Sequence, residues 1–191
     1  MERSARIRQL AVYAIALLAS AILQIFWPAA WMLWGARPDF TLVLSVLSGF
    51  LFGISDGIAI GLAAGYLRDS LAGRGLGMGM LLLMYAGICG ALLFRQRFRR
   101  QQFFALILVA LVTVFYTIFI VGLNRFFPMV QDAVPEWQIL WQQMSRIGAG
   151  SLLLNLAAAI PMFQLLLHAG PYRKGYLHNV NSEVLTGDHV W

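Results

Sequence analysis

Charged side chains are scarce in this sequence of 191 residues. They occupy 12% of the positions, whereas apolar residues occupy 60%. In an average soluble domain the charged fraction is about a quarter and the apolar fraction is about 45–50%. A soluble core does not need so many apolar residues, but a lipid-facing surface does. The composition therefore predicts an integral membrane protein.

Cysteine and catalytic motifs are also lacking. Cys89 is the single cysteine, which excludes an internal disulfide and a thiolate metal cluster. There is no HExxH motif, no nucleophile elbow and no phosphate-binding loop followed by Lys and Ser or Thr. The glycines at Gly75, Gly77 and Gly79 lack the preceding strand that a dinucleotide-binding fold requires. We predict that the protein is not an enzyme and needs no cofactor or metal.

Long apolar runs are what the sequence does have. A transmembrane helix needs about 20 residues, and in lipid the backbone must form its hydrogen bonds within a helix or a closed barrel. No alternating pattern indicates a barrel, so we predict an all-α polytopic membrane protein. Its six transmembrane helices form one domain over residues 1–170, before a polar cytoplasmic tail over 171–191. The spans are predicted at roughly 9–27, 39–55, 57–71, 76–94, 103–124 and 148–168.

The basic residues lie between the apolar runs. They form no stripe with surface aromatics, so the net charge of +6 does not predict nucleic-acid binding. Short loops rich in Arg and Lys stay in the cytoplasm. Six spans with both termini inside place five basic residues on the outer side and nine on the cytoplasmic side. The cytoplasmic nine are Arg3, Arg6, Arg8, Arg95, Arg97, Arg99, Arg100, Arg173 and Lys174.

Two tryptophans stand before the last run. Trp137 and Trp141 are one helical turn apart, which favours an interfacial helix lying along the outer membrane surface before the chain turns into the sixth span. The alternative is an aromatic belt on a long sixth helix. Asn155, in the middle of that run, is predicted to form a hydrogen bond across helices.

Small residues recur at every fourth position in the second and third runs. Such stripes let helix backbones approach closely in lipid. Four residues overshoot one helical turn by about 40°, so we expect only three successive members to share a face. We predict packing between the second and third helices, with docking of another protein's helix as the alternative. The ladder comprises Ser45, Gly49, Gly53, Gly57, Gly61, Gly65, Asp69, Gly73 and Gly77.

Charges flank this predicted hairpin. Arg37 and Asp39 open the second run, and Arg68 and Asp69 close the third, so an antiparallel hairpin places them at one outer level. Asp39 suits the positive end of its helix, but Asp69 opposes the dipole of the helix that it ends. We therefore expect Asp69 to be compensated by Arg37 or by backbone N–H groups of the turn at 73–77, as a structural pairing rather than a proton relay.

The segment Arg37-Pro38-Asp39-Phe40, followed by a GxxxGxxxDxxxGxxxG pattern at Gly61–Gly77, resembles the MreD family of bacterial rod shape-determining proteins. The basic first run ending in Gln24 and the total length fit as well. The resemblance implies a non-enzymatic inner-membrane subunit of the machinery that inserts side-wall peptidoglycan. Its expected partners are MreC, the actin-like MreB, the glycosyltransferase RodA and a class B penicillin-binding protein. It also implies a fold similar to the substrate-binding subunits of energy-coupling-factor transporters.

Two functional hypotheses follow. A scaffold would contact MreC through the glycine stripe and the Trp137–Trp141 segment. A small-molecule carrier would have a polar outer cavity lined by groups such as Arg37, Asp69 and Asn155. The sequence leaves open whether copies pair and whether a lipid is bound. The candidate motif and partner-binding residues are Arg37, Asp39, Gly57, Gly61, Gly65, Asp69, Gly73, Gly77, Trp137 and Trp141.

Overall fold

Six α-helices account for most of the part of the chain that the structure describes. The computed structural model describes residues 2–71, 77–93, 101–126 and 137–171, and each predicted apolar run overlaps mainly with one helix. The predicted all-α class is confirmed for these residues. The helices are α1 (Glu2–Ile25), α2 (Phe40–Phe52), α3 (Ile54–Leu71), α4 (Met78–Leu92), α5 (Gln102–Phe126) and α6 (Trp137–Ala169), with a 3₁₀ turn at Ala29–Trp31 between α1 and α2.

Three of the described helices are long and apolar enough to cross a membrane. Their apolar segments are Ile7–Ile25 in α1, Gln102–Gly122 in α5 and Met144–Ala169 in α6. The helices α2 and α4 are apolar but have only 13 and 15 residues. The remaining helix, α3, has 18 residues and includes three charged side chains. The protein is thus an integral membrane protein with three clear spanning candidates.

The short helix α2 is the centre of the bundle. Twelve of its 13 residues are buried, and it contacts each of the other five helices. At 1.5 Å per residue it is about 20 Å long, less than the roughly 30 Å of a bilayer's hydrocarbon core. Because protein rather than lipid surrounds it, its uniformly apolar sequence and its short length are compatible with burial.

Neighbouring helix ends reveal the course of the chain. The last turn of α1 meets the first turn of α2, where the Gln24 side chain accepts a hydrogen bond from the Thr41 hydroxyl at 3.3 Å. At the opposite end of the bundle, Arg8 Nη2 donates to the carbonyl oxygen of Gly170 at 3.3 Å. The start of α1 and the end of α6 therefore lie together. We call the end of the bundle where α2 begins the Asp39 end, and the opposite end, where α1 begins and α6 ends, the Arg8 end.

The sixth helix differs from the sequence-based expectation. It runs without interruption for 33 residues, from Trp137 to Ala169, and continues through Pro161. The prediction of a separate interfacial helix around Trp137 and Trp141 is therefore wrong, and the alternative of a long sixth helix describes this segment. At about 50 Å, α6 is longer than the hydrocarbon core, so part of it extends beyond that layer.

Candidate functional site: the polar network and the α3–α4 contact

Asp39 is the N-cap of α2. Its Oδ1 atom accepts hydrogen bonds from the backbone N–H of Leu42 at 3.0 Å and from the Thr41 hydroxyl at 2.8 Å. The bond from Leu42 satisfies a backbone donor that a helix N-terminus leaves without an intrahelical partner, and a negative charge here is favoured by the helix dipole. The carboxylate thus fixes where the central helix begins.

The second carboxylate oxygen of Asp39 binds an arginine from α3. Arg68 Nη1 donates to Asp39 Oδ2 at 2.8 Å, and the two side chains are 30% and 15% exposed. The Arg68 guanidinium also lies 5.3 Å from the ring centroid of Tyr116 in α5, within the range of a cation–π contact. This arginine therefore links α2, α3 and α5, and the partial burial strengthens its ion pair relative to one in water.

Asn155 joins α6 to the same cluster. Its Oδ1 accepts from the backbone N–H of Asp39 at 2.7 Å, and its Nδ2 donates to the Thr113 hydroxyl of α5 at 3.1 Å. The residue is only 1% exposed, where an amide without partners would be costly. The prediction that Asn155 forms hydrogen bonds across helices is confirmed.

Gln24 extends the network to α1. Its Oε1 accepts from the Thr41 backbone N–H at 3.5 Å and lies 3.3 Å from the Thr41 hydroxyl, whose single hydrogen it shares with the closer Asp39. The backbone N–H can only donate, so the oxygen of the amide must face it. Side chains from α1, α2, α3, α5 and α6 thus meet at the Asp39 end, and we call this set the polar network: Gln24, Asp39, Thr41, Arg68, Thr113, Tyr116 and Asn155.

Asp69 attaches the start of α4 to the end of α3. Its Oδ2 accepts from the backbone N–H groups of Gly77 and Gly79, both at 3.0 Å, and the residue is buried. Of the two compensating partners expected from the sequence, the structure uses the backbone N–H groups, whereas Arg37 is exposed. Asp69 thus caps the N-terminus of α4 from a neighbouring helix.

The glycine ladder of α3 packs against α4. A Cβ atom added at Gly57, Gly61 or Gly65 would overlap backbone atoms of Gly87, Leu83 or Met80, respectively. The stripe therefore packs within the chain, and the predicted contact between the second and third helices is present where Gly57 meets Gly49; the longer contact of the stripe is with α4. Gly49 of α2 approaches Gly87 as well, so three helix backbones meet at one level.

The expectation that only three successive members of the glycine ladder share a helix face is wrong. Gly57, Gly61, Gly65 and Asp69 all contact α4. Rows of residues four apart are inclined by about 26° to the helix axis, and a helix that crosses along such a row can meet more than three of them. Of the last two members, Gly77 precedes α4 with a φ of 131°, and Gly73 lies outside the described residues.

The tryptophan segment lies beside an apolar groove between α5 and α6. Trp141 is 66% exposed, whereas the side chain of Trp137 lies outside the described residues. The groove has a volume of about 210 Å³, and its lining includes Thr117, Gly148 and Ala149. Small residues of this kind allow a second helix to approach closely.

The outer polar cavity expected for a carrier is not formed by the predicted residues. Asn155 and Asp69 are buried, and their side chains are bonded within the chain, whereas Arg37 is exposed. Within the described part of the chain, no three His, Cys, Asp or Glu side chains come together as a metal site. The arrangement fixes helices relative to one another and contains no catalytic group that we can assign.

The polar network and the α3–α4 contact contain several of the residues on which the family resemblance rests: Gln24, Asp39, Gly61, Gly65 and Asp69. The family model described as rod shape-determining protein MreD matches residues 4–167, which is most of the chain. The chain belongs to the MreD family. Its role is therefore in determining rod shape, as a membrane protein of the MreBCD system. No curated protein and no solved structure matches the chain significantly.

Several residues that hold this MreD-family fold together were not assigned a packing role from the sequence. Thr41 and Tyr116 belong to the polar network, and Gly79, Gly87 and Gly90 provide the surface of α4 that meets α2 and α3. Gly87 and Gly90 are three residues apart and share a helix face. That spacing could have shown that α4 has a face of small residues suited to close helix packing.

We expect Asp69→Asn to destabilise the attachment of α4 without unfolding the protein. The amide oxygen can still accept one backbone N–H, but the charge-assisted character of both bonds is lost, at a cost of about 1–2 kcal/mol. Titration with SDS from a maltoside micelle, followed by circular dichroism, measures the shift of the unfolding midpoint. Ser70→Ala, at the exposed neighbouring position, is the control, and an equal midpoint for both variants contradicts the prediction.

Proposed function

We propose that this MreD-family protein is a non-enzymatic scaffold of the complex that inserts peptidoglycan along the side wall of a rod-shaped cell. It binds MreC and, with MreC, supports RodA and a class B penicillin-binding transpeptidase above the MreB filament. The family match over residues 4–167 is the observation that carries this proposal. The polar network supports it, since the bonds that Asp39 and Asn155 form within it join helices to one another.

The proposed topology has six spans in the bacterial inner membrane, with both termini in the cytoplasm. Support comes from the contact of Arg8 with Gly170, because an even number of alternating spans brings the two ends of the chain to one side. The short helices α2 and α4 count as spans because protein covers much of their surface. A fold similar to that of the substrate-binding subunits of energy-coupling-factor transporters remains part of the proposal.

We place the MreC contact on the groove between α5 and α6. The glycine stripe of α3 is covered by α4, so a partner helix has no access to it unless α4 moves. The groove, in contrast, has Gly148 and Ala149 in its lining and the exposed Trp141 beside them. A single transmembrane helix of MreC fits this chemistry, because small residues permit close packing and the tryptophan indole favours the membrane interface.

Co-purification of MreC tests this surface. Ala149→Trp fills the groove from an exposed position, and we expect the amount of MreC recovered with the affinity-tagged variant in mild detergent to fall about tenfold, which corresponds to about 1.4 kcal/mol. Quantitative mass spectrometry of the eluate measures MreC, RodA and the transpeptidase together. Trp141→Ala is expected to weaken MreC recovery in the same direction.

The matched control is Ala63→Trp, which places the same side chain at an exposed position of α3. It is expected to leave MreC recovery unchanged. Wild-type recovery of MreC with Ala149→Trp excludes the groove, and absence of MreC from the wild-type eluate contradicts the scaffold itself.

A further inference from the structure

A cleft between α1, α2 and α3 lies beside the polar network. Its volume is about 280 Å³, and it is lined by Gln24 and Arg68 together with apolar side chains such as Ile25, Leu67 and Leu71. Ligand pockets for whole drug-sized molecules occupy roughly 300–1,000 Å³, so this cleft has room for a small polar group rather than for an entire lipid.

Hydrogen-bond donors are available in the cleft. Arg68 carries five N–H donors, and the one bond that it donates among the described residues goes to Asp39. The Gln24 side-chain oxygen faces Thr41, so the two N–H groups of the Gln24 amide are directed away from Thr41. These N–H groups have no acceptor in the part of the chain that the structure describes. The cleft therefore presents donors from two helices.

The neighbouring acceptors are already occupied. Both oxygens of Asp39 are bonded, to Leu42, Thr41 and Arg68, and Asp69 is bonded to backbone N–H groups at the start of α4. The two carboxylates offset positive charge at helix N-termini as well as that of Arg68. A ligand in this cleft must consequently supply oxygen acceptors for the remaining N–H groups.

Apolar side chains border the same cleft. Ile25 and Leu71 are 50% and 56% exposed, and they are the last residues of α1 and α3. A ligand with an anionic oxygen-rich group and a hydrocarbon part would satisfy both features, because the guanidinium and amide donors match phosphate oxygens and the rim matches acyl chains.

We propose that this cleft binds the phosphate ester headgroup of a membrane lipid, with the phosphate oxygens accepting from Arg68 and Gln24 and the first acyl carbons against Ile25 and Leu71. The site is separate from the α5–α6 groove assigned to MreC, so either proposal can fail alone. Its ligand chemistry, a phosphate ester, could also be met by free phosphate, and the experiment below separates the two.

The test uses the full chain in maltoside micelles, titrated with dihexanoylphosphatidylglycerol and followed by native mass spectrometry. We expect one lipid per chain, bound about tenfold more tightly than dihexanoylglycerol, which lacks the phosphate. Gln24→Leu is expected to weaken binding about tenfold. Leu71→Trp, which narrows the cleft from its exposed rim without altering the polar network, is expected to do the same. Gln164→Leu, at the Arg8 end, is the control and should bind as wild type.

Three results overturn the proposal. Equal affinity for dihexanoylglycerol means that the phosphate is not recognised. Binding of inorganic phosphate as tight as that of the phospholipid assigns the cleft to a free anion instead of a lipid. Wild-type affinity in Leu71→Trp excludes the cleft as the location, even if Gln24→Leu fails to fold.

Discussion

Replacing Gly61 by leucine is expected to prevent the protein from accumulating as a monodisperse species in detergent. The first added carbon would overlap the backbone carbonyl of Leu83 in α4, and a backbone atom cannot move aside as a flexible side chain does. Overpacking of this kind costs about 3 kcal/mol or more when the backbone must shift. Because lipid removes the hydrophobic drive between helices, close van der Waals packing is a main source of the α3–α4 association that would be lost.

The measurement is fluorescence-detected size exclusion of a fusion expressed without MreC, since the predicted defect lies inside the chain. Gly122→Leu is the matched control: that glycine in α5 has open space where a Cβ would stand, and the variant should elute as wild type. A normal elution profile for Gly61→Leu, combined with loss of MreC in a pull-down, would return the glycine stripe to the role of a partner-binding surface.

The positions of the helices could be predicted because each is an apolar run bounded by Pro, Gly or charge. The start of α6 could not. Two prolines, Pro128 and Pro135, and the nearby tryptophans favour a separate interfacial segment, yet the helix continues uninterrupted from Trp137. Composition reports that a tryptophan prefers the membrane interface; it does not report whether the backbone bends there.

The glycine ladder illustrates a second limit. Its period in the sequence predicts that one face of α3 is smooth, and the structure confirms close packing within the chain. Which helix covers that face depends on crossing angles, which a periodicity cannot supply. The covering helix, α4, meets the ladder through Gly79, Leu83 and Gly87, which are also four residues apart, but the leucine among them interrupts the pattern of small residues that marks α3.

Among the polar partners, antiparallel geometry was more informative than proximity along the chain. Arg37 is two residues from Asp39, but the ion pair of Asp39 is with Arg68, 29 residues away. The hairpin of α2 and α3 places Asp39 and Arg68 at the same level, as the sequence indicated for all four charges. Which of the two arginines pairs with Asp39 depends on the direction of each side chain. The sequence does not determine that direction for a loop residue such as Arg37.

Charge pairing at the Asp39 end should be measurable as a coupling free energy. We expect Asp39→Asn to destabilise the bundle by about 2–4 kcal/mol. Asparagine still caps α2, but Arg68 loses its counter-charge in a partly buried position, and removing one partner of such a pair costs more than the pair contributes. Arg68→Met keeps the aliphatic stem and removes the charge. The double variant should recover part of the loss, which gives a coupling of about 1–3 kcal/mol.

The four proteins of this cycle are compared by SDS-induced unfolding in the same micelle, with the tryptophan emission as the signal. A second cycle on Gln102 and Gln164, an exposed neutral pair at the Arg8 end joined at 2.9 Å, is expected to give about 0.5 kcal/mol or less. If the Asp39 and Arg68 losses are additive, the contact seen between them contributes nothing as a pair. The stability of the Asp39 end would then derive from the helix cap and Asn155, which bind Asp39 through different atoms.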